Sequence, residues 1–454
     1  ATQQGTSFLT DKTKDAITFL KIITQKYDIA TANPPYTDSG GFGPDLKNFI
    51  EANFKKPYKF NTNLYATFIK RCFELTNEKG KIGMIHPYTF MFIKSFEDVR
   101  KFILSKTEIE LLVDWGLDRV NLFDGGYASA PTIYILSKGI NISNSVFFDL
   151  NVGLQEKDKK NRFTKAWTNF HNSIIDKRTY SLSQTKFPEI ESNPFIYWIS
   201  DDYRKIFAEN PLSKKARVFS GVKTGNNNGA LRFWWEININ SIYEKGDEEV
   251  NWIRYNKGGN AKKWFGNNWL CVDFRDNSSY IRKQKSFSFL PDEIAFNAKI
   301  NYSGLGSKSV SFRYLPADVQ NDMGASGILP EKNLLFSLAV LNSKISSYNL
   351  NCLNPTVNKQ PNDVKRVPLK DGDKKSVENI EPIVLRCLKI YIFLEEFSII
   401  ELNFKQSPFL LIDELKSSML YFLTLENILI TQVLINEAII NEKIFEVYEL
   451  TEND

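Results

Sequence analysis

The chain has 454 residues and a mass of 52.4 kDa, room for several domains, and its 42% apolar and 24% charged residues exclude a disordered or collagen-like polymer. The net charge of +5 hides an asymmetry: residues 381–454 carry five bases and thirteen acids, or −8, which leaves +13 for the first 380, a balance suited to a polyanionic partner. Four scattered cysteines without a CxxC pair argue against a disulfide framework and for a reducing cytoplasm, and two distant histidines, His86 and His171, give no basis for a metal site. No apolar run reads as a membrane span, since 383–394 and 409–412 are short or broken by charge. The opening Ala-Thr-Gln-Gln-Gly is no signal peptide and reads as cut from something longer.

Taken in order, the first third alternates strand and helix patterns. An apolar run at 28–32 stops abruptly at Asn33-Pro34-Pro35-Tyr36. A helix is predicted over 63–76 from Leu64, Phe68, Ile69, Cys72 and Phe73, closed by a turn at 77–80 and followed by a buried strand at 81–85. A helix at 96–104 and strands at 109–115 and 131–136 complete an α/β pattern that implies parallel pairing, with functional loops at the carboxyl ends of strands. Residues 141–195 are polar and irregular and read as linker with helices. Residues 196–375 are rich in Asn, Gly, Lys and Trp and read as a domain with short strands and long loops. Residues 376–454 are helical, with Leu and Ile at three-to-four spacing and acids opposite.

The tetrapeptide at 33–36 carries the most chemistry. As a bare string it also fits a proline-rich turn or a polyproline ligand. Placed after a strand, it can polarise an exocyclic amine, a poor nucleophile because its lone pair is delocalised into the ring. The Asn33 side-chain oxygen and the Pro34 carbonyl offer acceptors for both amine hydrogens, which would aim the nitrogen lone pair at an incoming methyl group. Consecutive prolines hold the backbone before substrate arrives. Tyr36 offers a face for a base taken out of the duplex.

This segment resembles the motif of class I S-adenosylmethionine-dependent amino methyltransferases. Asn61-Thr62-Asn63-Leu64-Tyr65-Ala66-Thr67-Phe68 and Gly80-Lys81-Ile82-Gly83-Met84-Ile85 resemble the next helix and strand of the adenine-N6 enzymes. Tyr88-Thr89-Phe90-Met91-Phe92-Ile93-Lys94-Ser95-Phe96, Tyr255-Asn256-Lys257-Gly258-Gly259, Lys263-Trp264-Phe265-Gly266-Asn267-Asn268 and Leu353-Asn354-Pro355-Thr356-Val357-Asn358 resemble the adenine-specific methyltransferases of bacterial BREX phage-defence systems, the PglX family. The resemblance implies an α/β fold: a partial Rossmann-like class I sheet in a catalytic half at 1–140, an α+β target-recognition domain at 196–375 and a helical C-terminal region. It implies that Asn33 and Pro34 polarise adenine, Tyr36 stacks on it and Phe123 closes its other face. Phe68, with the backbone of Asn33 and Pro35, would meet the donor, S-adenosylmethionine. The family's glycine loop and acid for the donor precede the catalytic tetrapeptide, and none stands in the 32 residues before Asn33, so a missing N-terminal segment is expected to complete the enzyme. Residues 2–8 are a weak match to the family's third strand, and 40–43 reads as a mobile loop over the base.

Residues 217–270 interleave bases with aromatics, and Lys223, Arg232, Arg254, Lys257, Lys262, Lys263, Trp264, Asn267 and Asn268 are the candidate contacts to double-stranded DNA. For any single lysine a solvated face is the plainer alternative. A loose Asp292, Asn297 and Lys299 spacing does not make a nuclease, because Asn297 stands where a second acid would be wanted. The expected protein is cytoplasmic, free of membrane and metal, with other phage-defence proteins as further partners. Competing readings are a non-catalytic DNA-binding or phage-sensing subunit and an assembly module whose tail recruits other proteins.

Overall fold

Short apolar strands between amphipathic helices assemble the first two hundred residues around one sheet. The computed structural model describes residues 2–116, 130–140, 144–151, 159–244, 249–259, 261–304, 310–356 and 358–450. The chain divides into two units, 1–204 and 205–454.

In the first unit the chain runs α1 (Thr2–Thr24), β1 (Tyr27–Ala32), α2 (Pro44–Phe54), α3 (Leu64–Leu75), β2 (Thr76–Pro87), α4 (Glu97–Lys106), β3 (Thr107–Asp114), β4 (Pro131–Lys138), β5 (Asn144–Asp149), α5 (Lys159–His171) and β6 (Thr179–Ser183). The sheet order is β1-β2-β4-β3-β5-β6. It is mixed rather than parallel: β1 pairs parallel with β2 and β3 with β5, while β4 runs against both its neighbours and β6 against β5. The turn expected at 77–80 is instead a register shift in β2, between the Tyr27–Thr76 and Ile29–Lys81 pairs.

Two further expectations are corrected. Residues 2–8 lie in helix α1, not in a strand. The segment 141–195 is not a linker, since it supplies β5, α5 and β6. Its strands are short and flanked by polar residues, so periodicity alone misses them. Burial settles them: Phe147 and Phe148 are fully buried, and Phe147 stacks on Tyr197 at 4.8 Å. Phe195 and Tyr197 belong to the same aromatic core as Phe60, Tyr65, Phe90 and Phe102, so the first unit extends past residue 195.

Arg100 on α4 locks this arrangement. Its guanidinium is completely buried and donates to the carbonyls of Phe90, Ile93, Ser192 and Asn193 at 2.6–3.1 Å. Ser192 and Asn193 adopt left-handed φ values of 72° and 51°. Buried carbonyls without a donor are costly, and Arg100 satisfies four at once.

The second unit contains, in chain order after α6 (Asp201–Glu209), β7 (Ala216–Phe219), α7 (Asn227–Ala230), β8 (Leu231–Phe233), β9 (Trp252–Asn256), β10 (Leu270–Asp273), α8 (Arg275–Arg282), α9 (Asp292–Ala295), β11 (Lys299–Tyr302), β12 (Phe312–Leu315), β13 (Val319–Asn321), β14 (Gly327–Pro330), α10 (Leu334–Asn342), α11 (Lys344–Leu353), α12 (Pro361–Val364), α13 (Lys374–Glu395) and α14 (Leu415–Val447). Two four-stranded sheets form, β13-β9-β10-β8 and β12-β11-β14-β7, antiparallel except for β13 with β9. This agrees with the mixed α and β content expected there. Helices α13 and α14 pack together and belong to this unit.

One expectation about the tail fails. Helix α14 has an 18-residue window of mean hydropathy 1.5 and is long and apolar enough, by length and composition, to cross a membrane. Its charges are spaced so widely, as at Glu426 and Glu437, that short-run inspection overlooks the average. Val433, Ile440 and Ile444 face inward, while Leu420, Ile428 and Leu434 are exposed.

Arg100→Ala is expected to cost about 3 kcal/mol, because it leaves several buried carbonyls unpaired. Lys101→Ala, which removes an exposed ion pair to Glu97, should cost roughly 1 kcal/mol or less. Urea unfolding followed by tryptophan fluorescence measures both; equal costs would refute the role given to Arg100.

Candidate active site

β1 delivers Asn33-Pro34-Pro35-Tyr36 at its carboxyl end. Asn33 and Pro35 are exposed, Pro34 is buried, and Tyr36 is half-buried against the first unit's core. The prolines restrict φ and offer no N–H, so the backbone here is held without help from a neighbouring strand. Burial pushes the Tyr36 phenol above its ordinary pKa, so it stays a neutral donor, and its hydroxyl donates to Asn33 Oδ1 at 3.2 Å. One of the two lone pairs of Asn33 Oδ1 is thus taken by the Tyr36 hydroxyl.

Asn63 fastens the segment from behind. Its Nδ2 donates to the Tyr36 carbonyl at 3.3 Å, while its Oδ1 accepts from the Tyr65 amide at 3.2 Å and caps α3. The Leu64 amide also donates to the Thr37 carbonyl at 2.9 Å. Sequence reading placed Asn63 in a family motif but missed this bridge; the available signal was an Asn one residue ahead of an apolar-periodic helix. Of the stretch at 40–43, expected as a mobile loop, Gly40 and Gly41 belong to a helical turn at Ser39–Gly41 in which Asp38 Oδ1 accepts from the Gly40 amide at 2.9 Å, and α2 begins at Pro44.

Phe68 is 38% exposed, whereas its neighbours Tyr65, Ala66, Thr67 and Ile69 on α3 are buried. Its ring thus lies partly at the surface of α3, which packs on β1, rather than filling the core. Phe123 lies outside the described residues. Beneath α3, Tyr65 stacks on His86 at 4.4 Å, and His86 Nε2 lies 2.7 Å from the Tyr134 hydroxyl. Complete burial depresses His86 to about 3, so it is a neutral packing group and not an acid–base catalyst near neutral pH.

A carboxylate pair that the sequence reading did not single out lies along the same edge. β4 runs against both β2 and β3, so β3 runs with β1 and ends on the same side of the sheet. Asp114 at that end is registered against Asp149 on β5. Burial, reinforced by the Asp149 charge, pushes Asp114 up to about 7. The Gly116 amide at 2.8 Å and the Tyr197 hydroxyl at 3.2 Å donate to it.

The candidate DNA contacts separate into two groups. Five of the nine are committed within the second unit to its C-terminal helical part. Lys262 Nζ donates to Glu401 at 2.8 Å, and Glu401, itself fully buried, accepts from the Asn268 and Asn267 amides at 2.8 and 3.3 Å. Lys263 Nζ and Trp264 Nε1 each donate to Glu437 at 2.8 Å. Trp264 is 1% exposed at a left-handed φ of 71°, held by main-chain bonds to Phe312 and Tyr314. Burial takes the side chains of Trp264, Asn267 and Asn268 away from the DNA role expected for them, while Lys262 and Lys263 are paired with acids distant in sequence and keep part of their side chains exposed. Arg254 pairs with Asp318 at 3.3 Å, and Arg232 donates to the Asn228 and Leu231 carbonyls. Lys223 and Lys257 keep accessible surface. Asp292, Asn297 and Lys299 do not converge as a metal site: Lys299 is buried and donates to the Ala295 and Asn297 carbonyls.

A family model described as an Eco57I restriction-modification methylase matches residues 3–123. The chain is 28% identical over 368 residues to the adenine-specific methyltransferase BrxX of Escherichia coli O9:H4 (strain HS), covering 79% of this chain and 29% of that protein. It is also 28% identical over 392 residues to the adenine-specific methyltransferase PglX of Lacticaseibacillus casei (strain Zhang), covering 80% and 31%. It thus spans about three tenths of the length of these curated relatives. Among solved structures, the Type IIL restriction-modification enzyme MmeI, determined in complex with DNA, superposes with a TM-score of 0.54 at 12% identity, over 93% of this chain and 54% of that one, a likeness of fold. The resemblance drawn from the sequence motifs is borne out by these relatives.

Two outcomes are expected. Glu401→Ala, which strands Lys262 and two amides, should cost about 3 kcal/mol in urea unfolding, whereas Glu396→Ala at an exposed pair should cost roughly 1 kcal/mol or less. Asp114 has a folded pKa above its unfolded value of about 4, so its contribution is full below pH 4 and is lost as pH rises through about 7. Thermal melts at pH 5 and pH 8 should show wild type losing a few degrees more than Asp114→Asn; parallel losses would refute the shift.

Proposed function

We propose that this chain, similar along four fifths of its length to adenine-specific BREX methyltransferases, is the base-holding and DNA-reading portion of an S-adenosylmethionine-dependent adenine-N6 DNA methyltransferase of phage defence. The observation that carries this reading is an exposed Asn33 at the end of β1, followed by two prolines and by Tyr36 within hydrogen-bonding distance of its Oδ1. In this reading 1–204 forms the catalytic half, a class I methyltransferase sheet, and 205–454 the target-recognition part with its helices.

The reaction asks little of general acids or bases and much of positioning. Adenine enters the edge extrahelically and presents its amine to Asn33 Oδ1. Asn33 Oδ1 and the Pro34 carbonyl accept the two amine hydrogens, which localises the nitrogen lone pair away from the ring. Asn63 holds the Tyr36 carbonyl, so both acceptors are aimed before substrate arrives. The Tyr36 ring stacks on the base, and Phe123 is the proposed second face. S-adenosylmethionine supplies an electrophilic methyl group when bound. The exposed ring of Phe68 on α3, beside an accessible Asn33 and Pro35, fits an adenosine-bearing donor.

The test is transfer of labelled methyl groups to N6 of adenine in duplex DNA, with and without the rest of a relative's chain added in trans. Asn33→Ala is expected to lower the rate at least about 100-fold, the scale of losing a preorganised acceptor. Tyr36→Ala should lower it about tenfold or more through lost stacking, whereas Tyr36→Phe keeps the ring and should stay within a few-fold of wild type. An Asn33→Ala rate equal to wild type would overturn the catalytic reading in favour of a DNA-binding subunit.

A further inference from the structure

The second unit brings together two segments that sequence does not connect. One is the turn at 221–229, and the other runs from α8 to residue 288. Lys223 and Ser288 exchange both main-chain hydrogen bonds, at 2.9 and 3.0 Å. Asn226 Nδ2 donates to the Tyr280 hydroxyl at 3.0 Å. Two glycines permit this contact: a Cβ on Gly225, at φ 72°, would sit 2.6 Å from Gln284, and one on Gly229 would fall 1.7 Å from the Tyr280 hydroxyl. The first turn of α8 is left-handed at Asp276, Asn277 and Ser278, with φ of 50°, 55° and 58°. Arg282 closes that turn, donating from Nε to the Asn277 carbonyl at 2.8 Å while its guanidinium lies 5.0 Å over the Phe289 ring.

The charge on this surface is one-sided. Residues 221–229 and 275–288 contain five bases, Lys223, Arg275, Arg282, Lys283 and Lys285, and one acid, Asp276. Arg275 is paired with Asp273 at 2.8 Å. Among the described residues, Lys223, Arg282, Lys283 and Lys285 have no acidic partner, unlike Lys262, Lys263 and Arg254 of the same unit. Asn226, Asn227 and Asn228 stand exposed beside them. Unpaired cations neutralise phosphates, and amides can pair bidentately with adenine edges. Asn226 and Asn227 already bond Tyr280, Gly229 and Thr224, and an acidic protein would satisfy the cations but leave the exposed amide of Asn228 unused.

We infer that the 221–229 turn and the 282–288 segment form one DNA-contacting surface, in which Lys223, Lys283 and Lys285 hold phosphates and Asn228 reads base edges. This rests on the adenine-methyltransferase reading for its partner, but its test requires no methyl transfer.

The full chain is titrated onto a fluorescein-labelled 30-base-pair duplex by anisotropy, between about 50 and 200 mM salt. The Lys223→Ala/Lys283→Ala/Lys285→Ala variant is expected to bind at least about tenfold more weakly, with a log–log salt slope smaller by about 3. A Lys332→Ala/Lys374→Ala/Lys375→Ala variant with the same change in charge should keep the wild-type slope. Asn228→Ala should narrow the preference between duplexes of different sequence while keeping the slope. An unchanged slope in the first variant, an equal loss in the second, no binding by wild type, or equal competition by polyglutamate would each overturn the inference. Lys223 is half-buried and the other substituted side chains are exposed, so matching thermal melts separate lost contact from lost fold. If Asn33→Ala leaves methylation unaffected while the salt slope responds as stated, the catalytic reading fails and this surface stands.

Discussion

A carboxylate with no exposed surface organises the second unit. Glu401 accepts from Lys262 and from two consecutive main-chain amides, and Glu437 on α14 takes the ammonium of Lys263 and the indole of Trp264. A buried charge is tolerable only when paired and hydrogen-bonded, so the 262–268 loop and the acidic helices specify each other's position. Glu395 sits in the same cluster; burial and the Glu401 charge push it up to about 8, and Asn403 donates to it at 2.9 Å. The opposite charges of body and tail, visible as +13 and −8 in the sequence, are here partly spent on each other.

This pairing changes how the basic, aromatic stretch is understood. Lysine beside tryptophan and asparagine is the composition of a nucleic-acid contact and equally of a buried, charge-assisted turn. Accessibility distinguishes the two. Trp264 is enclosed at a left-handed φ, while Lys223, with its neighbouring asparagines, stays at the surface.

In the first unit the constraint is positional. An open sheet presents its functional loops at the carboxyl ends of strands, and β1 ends in a tetrapeptide whose prolines remove backbone freedom. Asn63 turns a helix cap into a strut by serving Tyr36 and Tyr65 with the two ends of one side chain. The aromatic core behind it, including the neutral His86, is packing that keeps the edge rigid.

The tetrapeptide, its place after a strand and the helix behind it were legible in the sequence because each is a local pattern: an apolar run, a pair of prolines, a 3.6-residue period. Family resemblance, too, was legible, since it lies in ordered short motifs. The strands at 144–149 and 179–183, the antiparallel course of β4, the apolar reach of α14 and the partners of Lys262 and Lys263 were not. Those depend on which distant segment supplies the other half of a hydrogen bond or an apolar face. The sequence by itself determined the chemistry available at Asn33 and Tyr36; only the tertiary structure decided which cations are neutralised internally, because that depends on acids more than a hundred residues away.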